Sequence, residues 1–198
     1  DWNDGDSYAT VHIGDQEWML ENLKATQYRN GDNITHITNN EDWGSYDEGQ
    51  YSVYNNEPTN ADIYGNLYNW AVVDDSRGIC PEGWHVPSDD EYTVLTDYLA
   101  PEGIESWGNS IAGGKMKSTG TIEDGDGLWD YYSDEITEEA TNESGFTGLP
   151  AGSRNGNGGG NYYDIGNVGR FWSYSTDDHN GYPVYWKLHY DKSVVTRG

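Results

Sequence analysis

Cys80-Pro81-Glu82-Gly83-Trp84-His85-Val86-Pro87-Ser88-Asp89-Asp90-Glu91-Tyr92 is the stretch whose reading decides the fold. Pro81 and Pro87 restrict the backbone, so residues 78–87 form a rigid, turn-rich connector. Ser88 followed three residues later by Glu91 is a capping box: each side chain can bond the other's backbone amide. Tyr92, Leu95, Tyr98 and Leu99 then recur at helical spacing. This predicts a helix over 89–99, stopped by Pro101.

Outward from the connector the signals weaken. Upstream, 63–73 places Leu67, Trp70, Ala71 and Asp74 at helical spacing and predicts a second helix. Further back, the alternation through Val11 and Ile13 with Gly14-Asp15 predicts a hairpin over 7–20. Residues 29–62 are polar and too long for a structureless loop, so they must hold short pieces such as Gln50–Tyr54. Downstream, 100–145 is acidic and loop-rich, with short strands expected near 115–117. Residues 146–150, 170–175 and 184–190 read as strands, and the Gly-rich run 155–161 as a flexible loop tip. Helices early and strands at both ends make the class α+β, in a single domain over 1–198. The expected core is aromatic: Trp18, Leu23, Leu67, Trp70, Trp84, Leu95, Leu99, Phe146, Phe171 and Trp172.

Charge divides the chain. The net charge is −25, from 10 basic and 35 acidic residues. Such a balance excludes a nucleic-acid binder working through phosphates, and no apolar run is long enough to insert in a membrane. Residues 154–198 hold Arg154, Arg170, Lys187, Lys192 and Arg197 against Asp164, Asp177, Asp178 and Asp191. The chain is therefore an acidic body, 1–153, and a near-neutral aromatic segment, 154–198. The neutrality of the second part says little about what it binds. Hydrophobic residues reach only 34%, but nine Trp and seventeen Tyr speak against disorder.

The motif blocks carry a resemblance. They are Ile13-Gly14 with Gln16, Trp18-Met19 and Glu21-Asn22-Leu23; Tyr64-Gly65 with Leu67-Tyr68-Asn69-Trp70; the connector through Tyr92; Gly145-Phe146 with Leu149-Pro150-Ala151-Gly152; and Phe171-Trp172-Ser173. In this order they resemble the Fibrobacter succinogenes major paralogous domain family. The resemblance implies a C-type-lectin-like fold, with two helices packed on a twisted mixed or antiparallel sheet and long loops, in an extracellular or cell-surface protein. The family usually continues with a strand reading Gly-x-Ser-Val-Arg-Cys-Val, whose cysteine is the implied partner of Cys80. Here that strand is expected to be missing. Two readings stand: a truncated, processed or divergent end, or an exposed edge completed by another chain.

The resemblance also implies a recognition face in the late segment, as in the similar variable proteins of diversity-generating retroelements. Residues 154–193 are rich in Tyr and Asn, which combine large contact area with adaptable hydrogen bonding. The expected ligand-binding residues are Tyr162, Tyr163, Asp164, Tyr174, Asp177, Asp178, His179, Asn180, Tyr182, Tyr185, His189 and Tyr190. Their expected partners are a protein or carbohydrate on another surface, or copies of the chain itself. No cofactor is required, but calcium is a candidate at the acidic turns holding Asp4 and Asp6 and holding Asp124 and Asp126. The alternative at those turns is a solvated loop. No enzyme is expected: one cysteine lacks the second thiol that formylglycine-generating chemistry uses, and the five histidines show no metal spacing. The expected function is non-enzymatic recognition or adhesion. The alternative is a structural subunit that self-associates through the same segment or by strand addition.

Overall fold

The computed structural model describes residues 7–101, 104–105, 109–156 and 159–198. The chain is α+β. It opens with the hairpin β1 (Thr10–Ile13) and β2 (Gln16–Met19), turned at Gly14, whose φ is 60°. Strands β3 (Thr35–His36), β4 (Gln50–Ser52) and β5 (Leu67–Tyr68) form a small mixed sheet, β3 parallel and β5 antiparallel to β4. Helices α1 (Pro58–Tyr64) and α2 (Trp70–Val73) flank β5.

Helix α3 (Asp89–Leu99) starts with the full capping box between Ser88 and Glu91. Short pieces follow: β6 (Ile104–Glu105), β7 (Asn109–Ser110), α4 (Gly113–Met116) and α5 (Asp134–Glu139). The last third is strand: β8 (Ala151–Arg154), β9 (Tyr162–Ile165), β10 (Val168–Thr176), β11 (Pro183–His189) and β12 (Val195–Arg197). The main sheet is antiparallel in the order β10-β11-β12-β7-β6, and β8 pairs with β9. Among the described residues, no helix is long and apolar enough to cross a membrane.

Two hydrophobic clusters hold the chain. In the larger, α3 lays Tyr92, Leu95 and Leu99 on the inner face of the main sheet, against Trp186, Leu188 and Val195, with Trp18 and Phe146 closing one side. The Tyr92 and Trp186 rings stack at 5.6 Å, and Trp18 meets both Tyr92 and Phe146. Fully burying such side chains contributes about 1.5–3 kcal/mol each. The Trp186 indole N–H donates to Asp89 Oδ1 at 2.9 Å, and Arg197 donates to Asp89 Oδ2 at 2.8 Å, which ties the N-terminus of α3 to β11 and β12. The smaller cluster gathers Ala25, Tyr28, Ile34, Val72, Ile79 and Cys80.

Four expectations are corrected. The helix over 63–73 is broken in two, because Gly65 stands at φ 75° and a Cβ there would lie 2.6 Å from Asn22. Beyond it, Tyr68 Oη donates to the Ala25 carbonyl at 2.8 Å and β5 joins β4, so tertiary partners override helical spacing. The strand near 115–117 is instead the end of α4, with only Lys117 bridging Gly148, and 146–150 is otherwise irregular. Finally, the last described strand is not an exposed edge. β12 lies inside the sheet between β11 and β7.

Candidate functional site

Alternation along β10 and β11 sorts their side chains onto two faces. Phe171 lies opposite Trp186, toward α3. Trp172 lies opposite Tyr185 and Arg170 opposite Lys187, on the outer face. That face borders a cleft of about 1190 Å³. Trp70, Trp84, Trp172 and Tyr185 line it, together with Tyr163, Asp164, Ser153 and Arg170. Trp70 and Trp172 meet edge to face at 5.5 Å, and Trp172 meets Tyr185 the same way at 5.8 Å. The indole N–H of Trp172 donates to the Tyr68 carbonyl at 2.9 Å, which fixes the ring. These three rings are half-buried.

The polar side of the cleft is equally ordered. Arg170 donates to Asp164 at 2.8 Å and to Ser153 Oγ at 2.7 Å. Asp164 sits at φ 64°, a left-handed conformation that Asp adopts more readily than most residues. A rigid aromatic wall beside a fixed Arg–Asp–Ser network can stack a planar or ring-shaped ligand and orient it by hydrogen bonds.

The expected ligand-binding residues fall into three groups. Tyr163, Asp164 and Tyr185 line the cleft. Tyr174, Asp177, Asp178, His179, Asn180 and Tyr182 gather around the β10–β11 turn. There Tyr174 and Tyr182 are 62% and 70% exposed, and Asp177 accepts the backbone amides of His179 and Asn180. Those two amides, opposed by slight burial, hold the Asp177 carboxyl below its usual range. The third group is engaged internally. Tyr162 packs on Tyr54 and beneath the Arg154 guanidinium, His189 bonds Thr196 at 3.2 Å, and Tyr190 meets Tyr132.

Asp124 and Asp126 lie in a loop that uses their carboxylates itself. Asp126 accepts the Thr121 amide at 2.9 Å, and Asp124 accepts the Thr121 hydroxyl at 2.7 Å. Asp4 and Asp6 lie outside the described residues. Among the described residues, no group of three or more His, Cys, Asp or Glu side chains could hold a metal ion.

Sequence reasoning assigned Trp70, Trp84 and Trp172 to the core and passed over Arg170 and Ser153. The period-two alternation of 170–173 against 184–187 was the available signal, since it separates Trp172 from Phe171. Two further cations were unreadable in advance. Arg154 is 7% exposed and donates to the carbonyls of Gly160, Ile37 and Asn39, with Trp43 and Tyr162 beside it. Lys117 is 2% exposed, bonds the carbonyls of His189 and Lys192, and is pushed down to about 8 by burial. In the connector, His85 Nε2 lies 2.8 Å from Glu91 Oε1. Burial pushes Glu91 up, but the Ser88 amide and His85 outweigh it and hold the carboxyl low. Cys80 is buried, and burial raises its thiol to about 11, so it is protonated and unreactive at neutral pH.

A family model described as the Fibrobacter succinogenes major domain matches residues 11–196. No curated protein and no solved structure matches the chain.

Proposed function

This chain belongs to the Fibrobacter succinogenes major domain family, and from that premise we propose that it is an extracellular, non-enzymatic recognition or adhesion module with a C-type-lectin-like fold. It binds a glycan or protein surface through the outer face of β10 and β11. One observation carries the reading: the half-buried ladder Trp70–Trp172–Tyr185 stands open to a cleft beside the Arg170–Asp164–Ser153 network. Aromatic faces that are neither closed off nor fully exposed suit ring stacking, and the adjoining groups supply direction. The protonated, buried thiol of Cys80 fits a role without thiol chemistry. Calcium is not required for this mode of binding.

The test is a glycan and protein-surface array probed with the purified chain, followed by titration of the hits. Trp172→Ala is expected to weaken binding at least tenfold, in the presence or absence of a chelator. Hits that bind the variant as tightly as the parent sink the proposal. The second reading, self-association, draws on the exposed Tyr174 and Tyr182 beside the β10–β11 turn. It requires a concentration-dependent mass that Tyr182→Ser abolishes.

A further inference from the structure

The segment 154–198 is near neutral on average, but its charges are segregated. Arg154 is buried on carbonyls and Arg197 pairs with Asp89. Of the other cations, Arg170 and Lys187 lie with His189 on the outer side of the sheet, and Lys192, in the turn after β11, is close enough to act on the Lys187 charge. Arg170 lies directly opposite Lys187 in register, and His189 is two residues along the same face. Burial first, and then the positive charges of Arg170 and Lys192, hold the Lys187 ammonium below its ordinary range. Among the described residues, Lys187 has no carboxylate within ion-pair distance, whereas Arg170 has Asp164. In a chain of net charge −25 this is a local positive patch, with Asp164 paired to Arg170 and Asp191 close to His189 as its neighbouring carboxylates. It adjoins the aromatic wall: Lys187 Nζ lies 5.4 Å from the centroid of Tyr185, which in turn meets Trp172.

We propose that this face binds an acidic polysaccharide, a chain of sugars bearing carboxylates, with a sugar ring stacked on Trp172 and Tyr185 and its carboxylate received by Lys187 and Lys192. The inference rests on the recognition role proposed above and names the ligand class. Three features favour this occupant. A half-buried ammonium crowded by like charges gains most from an anion, because charge-assisted bonds strengthen where water is partly excluded. The ring faces beside it suit a sugar that presents an apolar face and a charged edge together. A second copy of the chain is disfavoured, because it would bring two acidic bodies into contact.

The probes are a galacturonate oligosaccharide and a neutral galactose oligosaccharide of equal length, titrated against the intact chain. The galacturonate is expected to bind at least tenfold more tightly. Lys187→Gln combined with Lys192→Gln is expected to remove that preference without weakening the neutral sugar. Raising sodium chloride from about 0.05 to 0.5 M should erode the preference in the parent, because screening shortens the reach of the cations. Equal binding of the two sugars, binding of neither, or a preference that survives the double variant overturns the inference. Dimerisation at low salt that the double variant abolishes, in place of sugar binding, also overturns it and assigns the patch to a second copy. Trp172→Ala separates the two levels. If it weakens a neutral ligand while the charge preference is absent, only the ligand class fails. If it weakens nothing, the recognition role fails as well.

Discussion

The two faces of β10 and β11 are made of the same kinds of residue and behave oppositely. On the inner face, Trp186 and Leu188 are sealed by α3, Phe146 and Trp18, while Phe171 packs on Phe146 and stays partly open to the cleft. On the outer face, Trp172 and Tyr185 are half-buried beside a cleft and share their surface with Arg170 and Lys187. Aromatic content therefore does not separate structural from binding residues in this chain. What separates them is how completely the neighbouring elements cover the ring.

The largest expected effect tests that contrast directly. Trp186→Ala should cost about 3–5 kcal/mol, because it opens a cavity under α3 and leaves Asp89 without its indole donor. Trp172→Ala should cost less, about 2–3 kcal/mol, since that ring is only partly covered. Chemical denaturation of both variants checks this, and equal losses would break the distinction between the faces.

Next comes Arg154, a cation treated in the opposite way to Lys187. Arg154→Ala should cost about 3 kcal/mol, because three carbonyls, that of Gly160 buried and those of Ile37 and Asn39 partly so, lose a charged donor. Lys187→Gln should change stability by no more than about 0.5 kcal/mol. Thermal unfolding of the two variants side by side gives the comparison.

Lys117 gives a smaller effect with a defined sign. Its folded pKa, about 8, lies below the unfolded value, so the unfolded chain binds more protons between them. Stability should rise with pH from about 8, by at most about 1.4 kcal/mol per unit. The rise should turn over near pH 10, where buried tyrosines with raised pKa, Tyr92 among them, begin to favour the unfolded chain. Lys117→Met should abolish the rise in a pH series of melts.

The smallest effect concerns the acidic loop. Asp124→Asn should shift the melting temperature by only a degree or two, and the shift should be the same with and without added calcium. A calcium-dependent shift would make the loop a cation site.

How far the sequence could be read depended on how local the cause was. The capping box and the span of α3 were legible, because Ser88, Glu91 and the apolar face lie within twelve positions, although Tyr98, expected on that face, is exposed and Thr96 is buried in its stead. The hairpin β1–β2 was legible for the same reason. The break at Gly65 was not, because Leu23, Lys24 and Ala25 cause it, some forty positions earlier in the chain. Of the candidate site, Tyr163, Asp164 and Tyr185 were expected from the family resemblance, with which the Tyr- and Asn-rich composition agrees. Trp70 and Trp172 were assigned to the core, because a hydrophobic ring does not declare which side of a sheet it will face until the strand register is known. The grouping of Lys187 with Arg170 was hidden by averaging charge over a segment instead of over a face.

The Arg154 guanidinium has a consequence for the order in which the molecule is assembled. It fastens β8 to Ile37 and Asn39, across more than a hundred residues of chain. The loop between β3 and β4 has bonds of its own, to Gln50 and Asn69 among others, but a ribosome must deliver most of the protein before Arg154 can join that loop to β8. Those fastenings of the first third of the polypeptide thus wait for the last.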